Sequence, residues 1–185
     1  MRFLIGQKKG MTRVFNQEGE SFAVSIIEVL PTVVSQIKTT EKDGYSAIKV
    51  KVVNEKQTKE KSFEFKVEDT TSFKVGDKIT TEQFESSDLV SVYGKSKGKG
   101  FAGTIKRHGF HRGPVTHGSH NVRQPGSIGG AYPERVVKGR RMAGHMGNEN
   151  TVIKNLKIVD LNNNTILLKG AIPGPRKSIL KITKK

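Results

Sequence analysis

Apolar and polar residues alternate along much of the first 94 positions, and this pattern predicts β-strands. Tyr45–Val53 and Ser62–Val67 alternate with a period of two residues, which is typical of strands with one buried face. A β-branched run ends at Pro31, and we expect that strand to bend at the proline and continue. The strands predicted before residue 95 are Phe22–Leu30, Thr32–Lys38, Tyr45–Val53, Ser62–Val67, a short strand within Lys74–Ile79, and Leu89–Tyr93.

The same pattern returns after residue 150, where Thr151–Asp160 alternates again. Asn162–Asn164 predicts a turn, because asparagine tolerates positive φ, and Thr165–Lys169 is the predicted return strand. Gly170–Pro175 interrupts the pattern before a last short strand at Ser178–Thr183. Short strands separated by turns indicate an all-β barrel or sandwich. Since the last strands follow residue 150, the middle of the chain should leave this domain and return to it.

The middle of the chain, residues 95–148, contains little material for a hydrophobic core. It has no Leu and six Ile or Val, whereas residues 1–94 contain twenty-one Ile, Leu or Val. Such a segment cannot offset its own ordering entropy by burial. One or two helical turns are predicted at Gly100–Arg107, ended by Gly109, with irregular chain over Phe110–Gly147. We interpret the segment as one that folds against a partner; the alternative is a disordered basic linker.

The formal charge of +16 is concentrated in the same segment. Residues 95–148 carry eleven Lys or Arg and one acid, Glu134, whereas residues 1–94 carry fourteen bases and fourteen acids. No acid occurs between Leu89 and Pro133. A charge gathered in this way predicts binding to a polyanion, and the natural partner is a phosphate backbone.

Other chemistries find less support in the residues. Gly98–Gly103 matches G-x-G-x-x-G, but a dinucleotide site needs an acid about twenty residues further on, and none precedes Glu134. Two His-x-x-His pairs, at 108–111 and 117–120, lack a nearby carboxylate and lie among cations, so no metal is expected. Imidazoles that stack on bases or bind phosphate fit better, and local loop hydrogen bonds are the alternative. No nucleophile elbow or catalytic acid pair is evident.

The chain contains no cysteine, which excludes disulfides, thiol catalysis and cysteine-based zinc sites. No apolar stretch approaches the roughly 20 residues of a membrane span. The N-terminus has no apolar signal-peptide region, so a cytoplasmic protein is expected.

Three cations, small residues and two methionines follow one another from Lys138 to Asn148. Glycine lets the backbone approach RNA closely, and methionine offers adaptable apolar contact. We interpret this run as a narrow tip that enters a crevice; the alternative is one more exposed basic loop.

Several motifs together resemble the bacterial form of the universal L-three family of large-subunit ribosomal proteins. Their order and spacing along nearly the whole chain carry the resemblance, since no single motif is decisive. The matching runs are Gly6–Arg13, Ser96–Gly103 with Lys106 and Arg107, Thr116–His120, Pro125–Gly129, Lys138–Gly144, Met146–Asn148 and Leu168–Gly174.

The resemblance implies a mostly β fold, a translation-protein-like six-stranded β-barrel built from residues 1–94 and 149–185. Residues 95–148 would then be a basic extension that reaches into the large-subunit RNA towards the peptidyl-transferase centre. Family members bind this RNA directly and early in assembly. Many bacterial members have a methylated glutamine where this chain has His145, and the connection Asn54–Lys61 is short for the family.

The function predicted is therefore that of a structural, non-enzymatic protein of the large ribosomal subunit. Its partners would be ribosomal RNA and neighbouring ribosomal proteins, with no cofactor and no membrane. A nucleotide-dependent enzyme that uses Gly98–Gly103 and a DNA-compacting basic protein are the alternatives. The predicted RNA-binding residues are Lys95, Lys97, Lys99, Lys106, Arg107, Arg112, His117, His120, Arg123, Lys138, Arg140, Arg141 and His145.

Overall fold

The computed structural model describes residues 2–53, 61–162 and 164–184. The chain divides into two compact units. Residues 1–96 together with 150–185 form the first, here called the ring unit. Residues 97–149 form the second, here called the basic unit. The short connection noted at Asn54–Lys61 lies, apart from Lys61, outside the described residues.

The described part of the chain is mostly β, as the sequence predicts. The strands are β1 (Arg2–Phe15), β2 (Ser21–Val29), β3 (Thr32–Lys38), β4 (Ala47–Val52), β5 (Ser62–Lys66), β6 (Lys78–Ile79), β7 (Leu89–Lys95), β8 (Phe101–Ala102), β9 (Gly144–His145), β10 (Asn150–Asn162), β11 (Thr165–Lys169) and β12 (Ile179–Lys184). Two short helices, α1 (Thr40–Asp43) and α2 (Thr104–His108), and a 3-10 turn at Thr81–Gln83 complete the elements.

Six antiparallel strands of the ring unit form a closed ring in the order β1, β12, β7, β10, β11, β2, with β2 pairing back to β1. The strand nearest the N-terminus pairs directly with the strand nearest the C-terminus, and Leu4 of β1 lies opposite Ile182 of β12. Both side chains are fully buried. The ring therefore needs the C-terminal strands, which come after the basic unit in the sequence.

The alternation of apolar and polar residues does not predict the strand β1. Phe3, Leu4 and Ile5 are consecutive, and all three are fully buried. Both faces of this part of β1 are therefore covered. The ring of Phe3 stacks on that of Phe65 in β5, with 4.3 Å between centroids. A strand buried on both faces shows an apolar run rather than alternation, which explains why the pattern did not reveal it.

The strands β3 to β6 form a separate sheet in the order β5, β4, β3, β6. The expectation of one strand that bends at Pro31 and continues is wrong, because β2 belongs to the ring and β3 to this second sheet. The proline marks the change of sheet. Both sheets share one hydrophobic core, in which Ile27 of the ring and Ile48 of the second sheet are fully buried.

A buried lysine fixes the C-terminal loop of the ring unit. The ammonium group of Lys8 donates hydrogen bonds to the main-chain oxygens of Ile172 at 2.8 Å and Gly174 at 2.9 Å. The Lys8 backbone also bonds with Lys177 and Ser178. Hydrogen bonds of a charged group contribute about 1.5–3 kcal/mol each, so Lys8 holds the loop that leads into β12.

Candidate nucleic-acid interface

The basic unit is organised by a short antiparallel ladder between β8 and β9. Phe101 lies opposite His145, and Ala102 lies opposite Gly144. Two more main-chain bonds extend it: the Met146 N–H donates to Gly100 and the Lys99 N–H donates to Met146, both at 2.9 Å.

A glycine adjoining this ladder permits a very close main-chain approach. Gly147 has φ +75°, and a Cβ added there would lie 2.1 Å from the Lys97 carbonyl oxygen. No other residue type fits that position without moving the backbone.

The helix α2 connects the ladder to the segment that precedes β9. The guanidinium Nη1 of Arg107 donates to the Met142 carbonyl oxygen at 2.8 Å, and Nε2 of His108 lies 3.0 Å from the same oxygen. The helix ends at Gly109, whose φ of +72° confirms the predicted stop. It begins only at Thr104, since Phe101 and the residue after it are in β8 rather than in the predicted helix.

The interpretation of Lys138–Asn148 as a narrow tip is wrong for its second half. Met142 accepts hydrogen bonds from α2, and residues 144–146 pair with residues 99–102. The small residues serve this packing, because a Cβ at Gly144 would lie 2.6 Å from Nη1 of Arg107. Gly144 and Gly147, which suggested close approach to RNA, are thus explained by close approach within the protein.

The segment between α2 and β9 is irregular, as predicted, and mostly exposed, but the predicted irregular span reached Gly147 and so wrongly included β9. Residues 110–143 are all described and contain neither helix nor strand. Local contacts give it shape: the Gly113 N–H donates to Val122 at 3.0 Å, and the Arg140 guanidinium donates to the Ser127 carbonyl oxygen. A Cβ at Gly113 would lie 2.5 Å from the Asn121 oxygen, so this turn requires glycine.

The predicted RNA-binding residues are exposed, with one exception. Arg107 is half-buried and serves the internal bond to Met142. Lys95 belongs to the ring unit, at the end of β7. The other exposed residues lie in the basic unit: Lys97, Lys99, Lys106, Arg112, His117, His120, Arg123, Lys138, Arg140, Arg141 and His145.

Three of these cations come together at one cavity. An open cavity of about 480 Å³ is lined by Phe110, Val137, Lys138, Gly139, Arg140 and Arg141. An aromatic ring beside a lysine and two arginines is a combination suited to a nucleotide, since the ring can stack on a base while the cations face phosphate.

The basic unit has a strongly positive exposed surface. Its 53 residues, from 97 to 149, contain ten Lys or Arg and two acids, Glu134 and Glu149. The exposed cations repel one another unless an anion neutralises them, which favours a polyanionic partner.

Several exposed residues of this unit are missing from the predicted set, among them one arginine and two aromatic residues. Arg135 is exposed. It directly follows Glu134, so the two adjacent residues have no net charge in the sequence. The side chains of Phe101 and Tyr132 are 79% and 86% exposed. Sequence reasoning assigns aromatic residues to a core by default, and no pattern in the sequence distinguishes these two.

The described residues lack two further kinds of functional feature. No group of three or more His, Asp or Glu side chains there could hold a metal ion. No helix in the described ranges is both long enough and apolar enough to span a membrane.

Comparison with known proteins gives a consistent result. The family model described as "Ribosomal protein L3" matches residues 7–165. The chain is 46% identical to "Large ribosomal subunit protein uL3c" of Emiliania huxleyi over 202 residues, covering 98% of each chain.

Bacterial relatives are equally similar. The chain is 45% identical to "Large ribosomal subunit protein uL3" of Alkaliphilus metalliredigens, covering 98% of this chain and 96% of that protein. The protein of the same name from Streptococcus mutans is 43% identical, with 96% and 93% covered. The chain therefore belongs to the ribosomal protein L3 family.

Proposed function

We propose that this protein is a structural constituent of the large ribosomal subunit that binds large-subunit ribosomal RNA directly through the basic unit. The observation that carries the proposal is the exposed positive surface of residues 97–149, with ten cations against two acids. The family membership supports the same assignment. Neighbouring ribosomal proteins are its other partners, and the ribosome in the cytoplasm is its location.

The contacts with RNA divide into two kinds. Exposed Lys and Arg neutralise phosphates, which supplies affinity and fixes orientation without reading sequence. His117 and His120 add hydrogen bonds or stacking. Selection among RNA sites then rests on shape, because the irregular chain of residues 110–143 fits only an RNA surface with matching contours.

The finer part of the proposal concerns assembly and reach. The six-stranded ring is the translation-protein-like barrel, which sits on the ribosome surface. Residues 95–148 are the extension that enters the RNA towards the peptidyl-transferase centre. Binding early through this extension helps the RNA fold and so nucleates subunit assembly. The support is the resemblance of the motifs together with the family membership.

The enzymatic alternative requires Gly98–Gly103 to cradle phosphate with its backbone N–H groups. The Lys99 N–H instead donates to the Met146 oxygen at 2.9 Å, so it is not available to a nucleotide. A structural protein without catalysis therefore fits this loop better. Titration with ATP and NAD tests the alternative, which needs saturable binding that a Gly100→Val variant abolishes.

The test of RNA binding measures affinity of the full chain for a large-subunit rRNA transcript and for duplex DNA across a salt series. The transcript should bind more tightly. Its logarithmic salt slope should be steeper than about −2, because each neutralised phosphate contributes roughly −0.7 to −0.9. Equal affinity for duplex DNA would favour the DNA-compacting alternative, and a shallower slope would contradict phosphate contact.

Two triple variants with the same change of charge locate the interface. Lys97, Lys99 and Lys138, all exposed in the basic unit, are replaced by Gln in one. Lys42, Lys74 and Lys78, all exposed in the ring unit, are replaced by Gln in the control. The first variant should lose affinity and reduce the salt slope by about 2–3 units. A greater loss in the control would place the interface elsewhere.

A further inference from the structure

The ladder of the basic unit presents an aromatic ring and an imidazole side by side on one face. Phe101 and His145 lie directly opposite each other in β8 and β9. Opposite residues of an antiparallel pair project to the same side, with Cβ atoms about 4.5–5.5 Å apart. Phe101 is 79% exposed and His145 is also exposed, whereas Ala102, next in β8, is 2% exposed. The ladder therefore has a packed face and an open aromatic face.

Two exposed lysines adjoin this open face along the chain. Lys99 precedes Phe101 by two residues, and Lys97 by four; both are exposed. Of the two acids of the basic unit, Glu134 is remote in sequence from both rings, whereas Glu149 follows His145 by four residues. A large ring kept in water costs free energy unless something covers it. Flat rings bordered by cations are complementary to nucleobases, which have a π-face and an attached phosphate.

We propose that Phe101 and His145 form a stacking platform for an unpaired base of the RNA, with Lys97 and Lys99 neutralising the adjacent phosphates. This proposal rests on the proposed function and specifies the form of RNA bound there: a base outside a helix, since a base stacked within a helix has both faces covered by its neighbours. The short ladder holds the platform rigid, because its main-chain bonds and the packed Ala102 fix both strands.

The test uses substitutions that distinguish the aromatic character of Phe101 from its apolar volume. Phe101→Leu keeps an apolar strand residue and removes the aromatic face, whereas Phe101→Tyr keeps the face. Phe15→Leu is the matched control, since Phe15 is a 64% exposed phenylalanine in a strand of the ring unit. Each full-length variant is titrated with the large-subunit rRNA transcript across the salt series.

Loss of stacking has a distinctive signature. Phe101→Leu should weaken binding by about 5- to 150-fold, the factor that corresponds to the free energy of stacking one base on an aromatic ring. The salt slope should stay unchanged, since no charge is altered. Phe101→Tyr and Phe15→Leu should bind within about twofold of the wild type. His145→Gln should weaken binding less than Phe101→Leu, because imidazole is the smaller of the two rings and contributes less stacking area.

Two controls make each result decisive. Amide exchange at Lys99 and Met146 reports whether the ladder persists in Phe101→Leu. If it does, a change in affinity below about twofold overturns the platform, while tight binding by the wild type leaves the proposed function standing.

If the ladder is lost, irradiation of the wild-type complex at a wavelength absorbed by bases decides: cross-links on the peptides containing Phe101 or His145 support the platform, and cross-links confined to other peptides overturn it. Failure of the wild type to prefer the transcript over duplex DNA would instead reject the proposed function.

Discussion

The guanidinium of Arg107 donates a 2.8 Å hydrogen bond to the carbonyl oxygen of Met142, 35 residues further along the chain. This bond joins α2 to the segment that leads into β9. His108 contacts the same oxygen at 3.0 Å. A residue that the sequence assigns to phosphate binding therefore also holds the basic unit together.

Replacing Arg107 should loosen the basic unit without weakening the ring unit. Arg107→Ala removes a charge-assisted hydrogen bond. Such bonds contribute about 1.5–3 kcal/mol, and the contribution of this one should be smaller because the Arg107 side chain is only half-buried. Amides of the β8–β9 ladder should exchange faster. The midpoint of thermal unfolding of the ring unit should stay constant, since every residue of the hydrophobic core cluster belongs to that unit.

The neighbouring Lys106→Ala variant is the control for this prediction, because Lys106 is exposed on the same short helix. It removes an equal charge and should leave ladder exchange unchanged. Equal exchange rates in both variants would show that Arg107 acts only as a surface cation.

The β-strands that alternation reveals are those with one open face. In β4, buried Val50 alternates with partly exposed lysines, so the pattern is visible. In β1, Phe3 and its two successors are buried on both faces, and alternation disappears. Alternation does not indicate which sheet a strand joins. The sequence therefore does not predict that β3 to β6 form a sheet of their own.

The exposure of the predicted RNA-binding residues follows from their residue types. Lys and Arg are rarely buried, so listing the cations of residues 95–148 already identifies exposed groups. The role of Arg107 depends on an oxygen 35 residues away, which no local pattern encodes. The ladder itself consists of two-residue strands in glycine-rich sequence, where periodicity has no length in which to develop.

A glycine-to-alanine pair should distinguish close packing from backbone strain. Gly147→Ala puts a Cβ 2.1 Å from the Lys97 oxygen and should open the adjoining ladder. Gly100→Ala also has a positive φ, +65°, but its Cβ would meet open space. It should cost only about 1–2 kcal/mol of strain.

The hydrogen-exchange rates of the Lys99 and Met146 amides report the effect of both substitutions on the ladder, since these amides donate the hydrogen bonds beside the two glycines. Protection should be lost in Gly147→Ala and largely kept in Gly100→Ala. Comparable protection in the two variants would mean that the main chain can move aside at Gly147.

An ion pair in the ring unit should make stability depend on pH. A hydrogen bond from Lys184 of β12 holds the pKa of Asp88 below its ordinary value, assisted by the Glu85 N–H at 3.1 Å. Because the folded state lowers this pKa, the stabilisation is complete above the unfolded value of about 3.9 and disappears as pH falls through the folded value. Asp88→Asn should therefore reduce the free energy of unfolding at pH 7, by about 1 kcal/mol or less, and not in strong acid.

Urea unfolding of the wild type and Asp88→Asn across the acid range measures this difference. Asp69→Asn, which removes an exposed carboxylate of the same unit, is the control and should behave like the wild type at neutral pH. A difference between wild type and Asp88→Asn that stays the same from neutral to strongly acid pH would assign the effect to packing instead of the ion pair.

Two Gly-Ser replacements should separate the ladder from the exposed loop of the basic unit. Replacing Met142–Met146 removes the side chains of β9 and makes its main chain flexible, so the ladder and the bonds from Arg107 and His108 to the oxygen of residue 142 should be lost. Replacing Ile128–Val137 removes exposed chain that contains neither helix nor strand and leaves the ladder intact. Thermal unfolding of the ring unit should be unaffected by both, because its core cluster lies outside residues 97–149.

The two replacements should also differ in the ribosome if the proposed function is correct. Loss of the ladder disorders the whole basic unit, so subunits carrying the Met142–Met146 replacement should assemble slowly. Subunits with the Ile128–Val137 replacement should assemble, because Lys97, Lys99 and Lys106 remain in place. Their peptide-bond formation, or their sensitivity to drugs bound at the peptidyl-transferase centre, should change. Normal translation and unchanged drug sensitivity in these assembled subunits would show that the exposed loop only fills space in the RNA.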